Sequence, residues 1–323
     1  NQRRLFYLIC DDIEIDFFER NSYYMFVSDY IATSIKGHQH FDFVDVNLDD
    51  DNKLFIDPCL LEHASDPWSG NAALTVNAFF DRFYDELRRG TLLSSGLLDH
   101  AREQNATKLG YGNGDNGKGK TAKGLWDSIK DLQILVHDIP SIDRVQDITI
   151  LVNGIAEDFL SDLLTNILHE QLNAFTCEQM AMWGCAAQGE KVIWTFDAYT
   201  GEWIQVSKPC WYYNGKELLL VPKHIVRRNY LFNAHQYLCA VIIDRIRDAN
   251  GWNDLKKIDI WSNLPRTSEH WEYDKVISYS REYPDVLSEY HERMPRFYRR
   301  ANGSMTDRSL DITVYGYEIE QSA

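Results

Sequence analysis

The chain has 323 residues, of which 44% are hydrophobic and 25% charged, a balance typical of a folded globular protein and not of a disordered one. Its 49 acidic residues outnumber 33 basic ones, and the formal net charge is −16. This charge repels nucleic acid and anionic membranes, which excludes nucleic-acid binding by bulk electrostatics but leaves a local basic groove possible.

No apolar stretch approaches the ~20 residues needed to cross a bilayer, and no secretory signal is recognisable, so we expect a cytoplasmic protein without membrane contact. Six cysteines are scattered along the chain, none of them in a CxxC pair or at zinc-finger spacing. They indicate reduced thiols and argue against structural zinc.

The first part of the chain predicts strands and one long helix. Arg3–Cys10 predicts a buried strand, and Phe41–Leu61 predicts a β-hairpin because apolar and acidic residues alternate around an Asp-rich turn. Leu74–Arg89 has the helical period, with Gly90 as its stop signal. Leu109–Gly124 is a glycine-rich loop and marks a domain boundary or a functional loop.

The second part alternates less regularly. Gly154–Met180 carries paired apolar residues at helical spacing, and Lys191–Val206 predicts two strands around a turn. Tyr212–Pro222 predicts a third strand, Asn229–Asn250 a helix, and Leu310–Ile319 a closing strand. The fold class predicted is α+β: mixed sheets with several long amphipathic helices and no regular doubly wound α/β pattern.

Two regions are predicted from the glycine-rich loop. Residues 1–125 form an N-terminal α+β region that ends in this loop, and residues 126–323 form a C-terminal α+β region that carries the helix at 154–180. The alternative is one continuous domain.

The polar face of the helix at 154–180 is the first candidate site. Asp158, Asp162 and Asn166 recur one turn apart, and no Lys or Arg accompanies them. Two carboxylates at i,i+4 spacing can share a hard cation, so we predict a Mg²⁺ or Mn²⁺ site, with Asn166 or His169 completing the ligands. The alternative is a solvated face, or a network with partners elsewhere in the fold.

Asp57 and Lys223 are the other two candidates for a metal-dependent site. Asp57 ends a predicted strand before Pro58, where a carboxylate can join a metal centre, although such residues more often form turns. Lys223 follows the apolar strand ending in Pro222 and would polarise a phosphate or orient water. Its alternative is an ordinary surface lysine.

Two further motifs match known patterns, but the sequence around them gives these matches little support. Gly114–Thr121 fits the phosphate-loop pattern, with Lys118 and Lys120 as phosphate or nucleic-acid contacts, but no buried strand precedes it. Arg228 and His235, seven residues apart on the predicted helix, resemble the catalytic motif of HEPN ribonucleases, which pair two such motifs in a dimer. We expect neither an NTPase nor this metal-independent ribonuclease as the main function.

Four blocks together resemble an uncharacterised family of prokaryotic proteins from defence islands and mobile elements. The blocks are Leu54–Leu61, Gly110–Lys120, Gly154–Thr176 and Phe196–Val226. The resemblance implies an antiviral role beside other protein subunits, and nucleases are frequent in such systems. A complete PD-(D/E)XK pattern is missing, because no Asp/Glu-x-Lys strand follows the aspartate.

The sequence thus predicts an antiviral defence protein that acts on DNA or RNA as a metal-dependent nuclease or nuclease-like subunit. The residues assigned to it are Asp57, Asp158, Asp162, Asn166 and Lys223. The alternative is a non-catalytic sensor or assembly subunit with an acidic interaction surface, since 13% of the residues are aromatic and many lie between 252 and 298. A homo-oligomer is compatible with either.

Overall fold

The computed structural model describes residues 24–101, 105–110, 126–127, 129–153, 157–301 and 303–317, with the side chains of Glu157 and Asp158 outside this description. The helices are α1 Val27–Tyr30, α2 Pro58–His63, α3 Pro67–Arg89, α4 Leu132–Asp138, α5 Val145–Leu151, α6 Glu157–Ile167, α7 His169–Met182, α8 Ala234–Tyr237, α9 Ile243–Ala249, α10 Lys257–Asn263, α11 Trp271–Glu282, α12 Val286–Arg300 and α13 Asp307–Tyr315. A π-helical turn, Leu238–Ile242, joins α8 to α9.

The strands within the described ranges form three antiparallel pairs, β1 with β6, β2 with β3, and β4 with β5. They are β1 Phe55–Ile56, β2 Gly189–Asp197, β3 Glu202–Cys210, β4 Tyr212–Tyr213, β5 Lys216–Glu217 and β6 Val226–Arg227. Helices outweigh these small sheets and do not alternate regularly with strands, so the predicted α+β class is confirmed. No helix in these ranges has the length and hydropathy to span a membrane.

Helix α3 confirms the predicted helix at 74–89 and begins earlier, at Pro67. The Asp66 side chain accepts a hydrogen bond from the Ser69 N–H, and proline suits the first helical position because it has no N–H to satisfy. The helix ends at Gly90, whose φ of +70° is the left-handed conformation that favours glycine. Its buried face includes Phe79, Phe80 and Phe83 and forms a large part of the core.

The predicted hairpin at 191–206 is confirmed as β2–β3, which pairs Gly189 with Cys210 and Asp197 with Glu202 at its two ends. The third strand predicted at 212–222 is much shorter. Residues Asn214 and Gly215, both with positive φ, turn β4 back onto β5, and the buried residues Leu218–Val221 lie outside any strand.

The hairpin predicted across Phe41–Leu61 is wrong. The only strand there is β1, whose partner β6 lies about 170 residues further along the chain, and α2 begins at Pro58. Phe43 makes a single bridge to Pro222. The apolar alternation in this segment therefore reflects burial on the core, which a local pattern cannot distinguish from pairing within a hairpin.

The closing strand predicted at Leu310–Ile319 is also wrong, because residues 307–315 form α13. The Thr306 hydroxyl accepts a hydrogen bond from the Ser309 N–H, and Gly316, with φ of +80°, ends the helix. Residues 318–323 lie outside the described ranges. The capping Thr306 and the terminal Gly316 therefore delimit a helix here. The strand predicted at Arg3–Cys10 also lies outside the description.

The helix predicted at 229–250 begins later than expected, at Ala234. Asn233 precedes it, and its side chain accepts a hydrogen bond from the Gln236 N–H. Arg228 lies in a bend before the helix, so the prediction that Arg228 and His235 share one helical face is wrong.

The predicted helix at 154–180 is two helices, α6 and α7, which meet at Leu168. Both helices pack on the β2–β3 hairpin. His169 is 4% exposed and lies 3.1 Å from the Glu217 carboxylate, which also accepts a hydrogen bond from Lys191. Glu170 pairs with Lys208 of β3, so the hairpin supplies the basic partner of this acid.

Candidate functional site

Asp57 is a buried helix cap. It is 2% exposed, and its two carboxylate oxygens accept hydrogen bonds from the N–H groups of Cys59 and Leu231, at 2.9 and 3.0 Å. Burial raises the pKa of Asp57, and these hydrogen bonds and the Arg227 charge offset only part of that rise. Asp57 therefore fixes the start of α2 against the segment before α8.

Lys223 joins the C-terminal helix to the N-terminal part of the fold. Its Nζ donates to the His38 carbonyl oxygen at 2.6 Å and pairs with Asp307 of α13 at 2.7 Å. Beside it, the buried His38 ring lies 2.7 Å from Asp311 and accepts a hydrogen bond from the Asp45 N–H. The contacts of Lys223 with His38 and Asp307 therefore give it a structural role.

The other predicted residues that the structure describes lie on α6, in the bend before α8 and on α8. Asp162 and Asn166 are half-buried on α6, and the Asn166 side chain donates to the Asp162 carbonyl oxygen at 2.9 Å. The side chain of Asp158 lies outside the described part, as do Lys118 and Lys120 with the whole phosphate-loop motif. His235 is exposed and contacts Glu272 at 2.8 Å, while Arg228 is exposed in its bend.

A different set of side chains converges. Among the described residues, Asp143, Asp147 and His291 form the one group of three or more His, Cys, Asp and Glu side chains whose ligand atoms all lie within 4.8 Å of one another. We call it the Asp143–Asp147–His291 cluster. Asp143 precedes α5, Asp147 lies on α5, and His291 lies on α12.

Local structure fixes Asp147. Helix α5 is buried along its whole length, and Asp147 in its first turn is 0% exposed. Its Oδ2 accepts hydrogen bonds from the N–H groups of Asp143 and Arg144, both at 2.9 Å, which satisfies two donors at the helix start. Its Oδ1 lies 2.7 Å from His291 Nε2. The carboxylate therefore has no freedom to turn.

This contact sets the tautomer of His291. A neutral imidazole that donates from Nε2 to Asp147 has its lone pair on Nδ1, and Nδ1 faces the Asp143 carboxylate at 3.9 Å. A carboxylate that orients a histidine toward a metal is a recurrent second-layer arrangement in metalloproteins. The cluster can therefore hold a metal ion between His291 and Asp143, with Asp147 behind the imidazole.

The separation of the two ligand atoms is compatible with an ion after a small movement. Metal bonds of about 2.0–2.2 Å need an N···O separation of about 3.0–3.5 Å. Asp143 can close this gap because its side chain is 62% exposed, whereas that of His291 is 7% exposed.

A cavity of about 320 Å³ opens beside the cluster, between α2, α3 and the start of α5. Its polar lining includes Glu62, Asp81, Asp143, Arg144 and Gln146. The Gln146 amide donates to the Glu62 carboxylate at 3.0 Å. Carboxylates, amides and a guanidinium thus line a cavity that includes Asp143 of the cluster.

The electrostatics of the cluster favour a cation. Partial burial and the neighbouring Asp147 charge raise the pKa of Asp143. Burial and the Asp147 charge also raise the pKa values of the buried tyrosines Tyr84 and Tyr290. Buried negative charge is therefore felt on several sides of the cluster, and a divalent ion would neutralise it.

Two arrangements that resemble activated nucleophiles have simpler explanations. Cys59 lies 3.7 Å from His63 Nδ1, but burial raises the pKa of the thiol and keeps it protonated. Ser69 Oγ and Asp66 both contact the same nitrogen of His224, at 2.8 and 3.2 Å, whereas a triad uses both ring nitrogens. Asp66 and Ser69 serve the start of α3.

Sequence reasoning missed the cluster. Asp143 and Asp147 have the same i,i+4 spacing as Asp158 and Asp162, and this spacing was the available signal. Nothing local points to His291, which is 144 residues from Asp147.

We expect Mn²⁺ to bind this cluster and to raise the melting temperature by roughly 5 °C or more at 100-fold excess over Kd, which corresponds to about 2.7 kcal/mol. Imidazole suits transition metals better than Mg²⁺, so Mg²⁺ should give a smaller shift. Differential scanning calorimetry and the Mn²⁺ electron paramagnetic resonance signal measure it. Asp143→Asn should remove the shift and Asp162→Asn should keep it; the reverse pattern would place the ion on α6.

Comparison with known proteins gives one match. Residues 34–233 match a family model described as a domain of unknown function, DUF8370. The match includes Asp143, Asp147 and all the residues that line the cavity beside the cluster, whereas His291 follows it. No curated protein and no solved structure matches the chain. Because the matched residues make up more than half of the chain, the protein belongs to the DUF8370 family.

Proposed function

We propose that this protein is a metal-dependent phosphodiester hydrolase that acts on nucleic acid, with its metal at the Asp143–Asp147–His291 cluster. The observation that carries the proposal is the orientation of His291 by Asp147 toward Asp143, at the edge of a polar cavity. Mn²⁺ is the preferred ion because one ligand is an imidazole and the others are oxygen atoms.

The residues divide the work as follows. His291 and Asp143 would hold the ion, and Asp147 would keep the imidazole in the ligating tautomer. Arg144 lines the cavity and offers a guanidinium to a phosphate. Glu62 or Asp81 offers a carboxylate to accept the proton of the attacking water. A bound divalent ion would supply a water of lowered pKa and positive charge for the phosphate oxygens.

In the overall reaction, a water oxygen forms a bond to phosphorus and the bond from phosphorus to one ester oxygen breaks. The water proton passes to a cavity carboxylate, and the leaving oxygen takes up a proton. No oxidant or further reactant is needed. The antiviral context remains a prediction that rests on the four sequence blocks, and cleavage of foreign nucleic acid would fit it.

We expect purified protein to cleave labelled single-stranded DNA or RNA with Mn²⁺, and Asp143→Asn to lower the rate by more than about 100-fold, since it removes a ligand. Denaturing gels of matched time courses measure it. Asp162→Asn is the control and should keep its rate. Equal rates for Asp143→Asn and the wild type, or no cleavage of either polymer with Mn²⁺ or Mg²⁺, would refute the proposal.

A second candidate is a non-catalytic subunit of a larger assembly. Residues Trp252, Leu255 and Ile258 expose large apolar side chains within one short segment before and on α10. Such a patch fits an interface with another protein. In this case the wild type would show no cleavage, and substitution of Asp143 would leave the assembly intact.

A further inference from the structure

A second cavity lies between β6 and the start of α13. It has a volume of about 560 Å³, within the range of ligand pockets. Its polar lining consists of arginine, hydroxyl and amide side chains, and none of the described residues that line it is Asp or Glu. This is notable in a chain with 49 acidic and 33 basic residues. We call it the arginine groove; its polar side chains include Arg227, Arg228, Ser304, Thr306, Ser309 and Thr313.

One wall of the groove is held in place by close packing. The Arg227 guanidinium donates to the Gly303 carbonyl oxygen. Gly303 has a φ of +55°, and an added Cβ would lie 2.8 Å from the Tyr298 hydroxyl oxygen. Only glycine fits there, so the backbone is fixed against α12 and the groove is present before any ligand binds.

Positive charge accumulates around the groove. Arg228 is exposed and has no ion pair among the described side chains. Helix α12 ends beside the lining residue Ala301 with the exposed residues Arg299 and Arg300, which likewise have no ion pair in the described ranges. These arginines are available to an external anion, and the guanidinium fork matches phosphate geometry.

The groove lies just beyond the C-terminal end of α12, where Ala301 lines it. His291 and Arg300 are nine residues apart on this helix, about 13 Å along its axis and about two and a half turns around it, so they lie on opposite faces. The groove and the Asp143–Asp147–His291 cluster are therefore separate sites. The apolar lining residues Met305 and Ile312 would face sugar and base.

We propose that the arginine groove binds the phosphate backbone of single-stranded nucleic acid. This binding does not depend on the proposed hydrolase function, although the ligand is of the same class as its substrate. Arg228 lies outside the helix that a HEPN motif would require, and the groove gives this residue a role in phosphate binding instead. In an acidic protein, such a groove confines polyanion binding to one face.

The test is fluorescence anisotropy of fluorescein-labelled single-stranded DNA and RNA, with EDTA present so that no hydrolysis occurs. We expect Arg228→Gln combined with Arg300→Gln to weaken binding about tenfold or more and to reduce the slope of log K against log salt by about 1.4, or 0.7 for each lost phosphate contact. The matched control, Arg89→Gln with Arg281→Gln, removes the same charge from arginines that already pair with Asp85 and Asp138. It should change binding less than twofold.

Equal weakening by the two double variants would refute the groove, because only overall charge would matter. The proposal would also be refuted if inorganic phosphate competed completely and the polymer bound no more tightly than phosphate does. That result would indicate a site for free phosphate. Binding without any cleavage in Mn²⁺ would refute the hydrolase and leave the groove supported.

Discussion

Replacement of Asp147 by alanine is expected to destabilise the protein by about 3–5 kcal/mol, because each buried donor left without its acceptor costs about 1–3 kcal/mol. The substitution leaves the N–H groups of Asp143 and Arg144 and the Nε2 of His291 without their acceptor. Urea unfolding followed by circular dichroism measures the change. The control is Asp143→Asn, at an exposed side chain of the same cluster, which should cost less than about 1 kcal/mol.

The isosteric variant Asp147→Asn separates stability from metal binding. Its carbonyl oxygen can still accept the two backbone N–H groups, while its amide would donate to His291 Nε2. That donation forces the proton of His291 onto Nδ1 and removes the lone pair that faces Asp143. We expect a smaller loss of stability, about 1–2 kcal/mol, together with loss of the Mn²⁺ signal. Retained Mn²⁺ binding in Asp147→Asn would show that Nδ1 is not a ligand.

Replacement of Asp311 by alanine is expected to cost about 2–4 kcal/mol, because two buried donors of His38 lose their acceptor. Asp311 Oδ1 accepts from the His38 N–H at 3.0 Å and lies 2.7 Å from His38 Nδ1. The same helix places the Tyr315 hydroxyl 2.7 Å from the Asp45 carboxylate. The control is Asp307→Ala, which breaks the half-exposed pair with Lys223 and should cost less than about 1 kcal/mol.

The effect of Asp311 depends on pH. Burial alone would raise its pKa, but the hydrogen bonds and charge of His38 outweigh this and lower the pKa below its usual value. The folded state therefore binds this proton less tightly than the unfolded state. The stabilisation is fully present above the unfolded pKa of about 3.9 and is lost as the pH falls through the lower folded value. The difference between wild type and Asp311→Ala should shrink over that interval, and a difference that grows toward acid pH would contradict this sign.

Local patterns predicted the elements whose structure depends on neighbours in the chain. Helix α3 follows from a helical period with a capping Asp66, a first-turn proline and a terminal Gly90. The β2–β3 hairpin follows from two alternating segments around a turn. Both were predicted because their signals lie within about 20 residues. The two errors of type, at 41–61 and 310–319, arose where similar apolar spacing served burial on the core or an amphipathic helix.

The sequence by itself determined the α+β class, the acidic charge, and the helix α3 with its ends. It also identified carboxylates at i,i+4 spacing as the kind of chemistry to seek. Only the tertiary structure decided which carboxylates meet an imidazole. Asp143 and Asp147 converge with His291, which follows Asp147 by 144 residues. A metal site requires atoms a few ångströms apart, and that proximity is set by how helices pack, which no local spacing records.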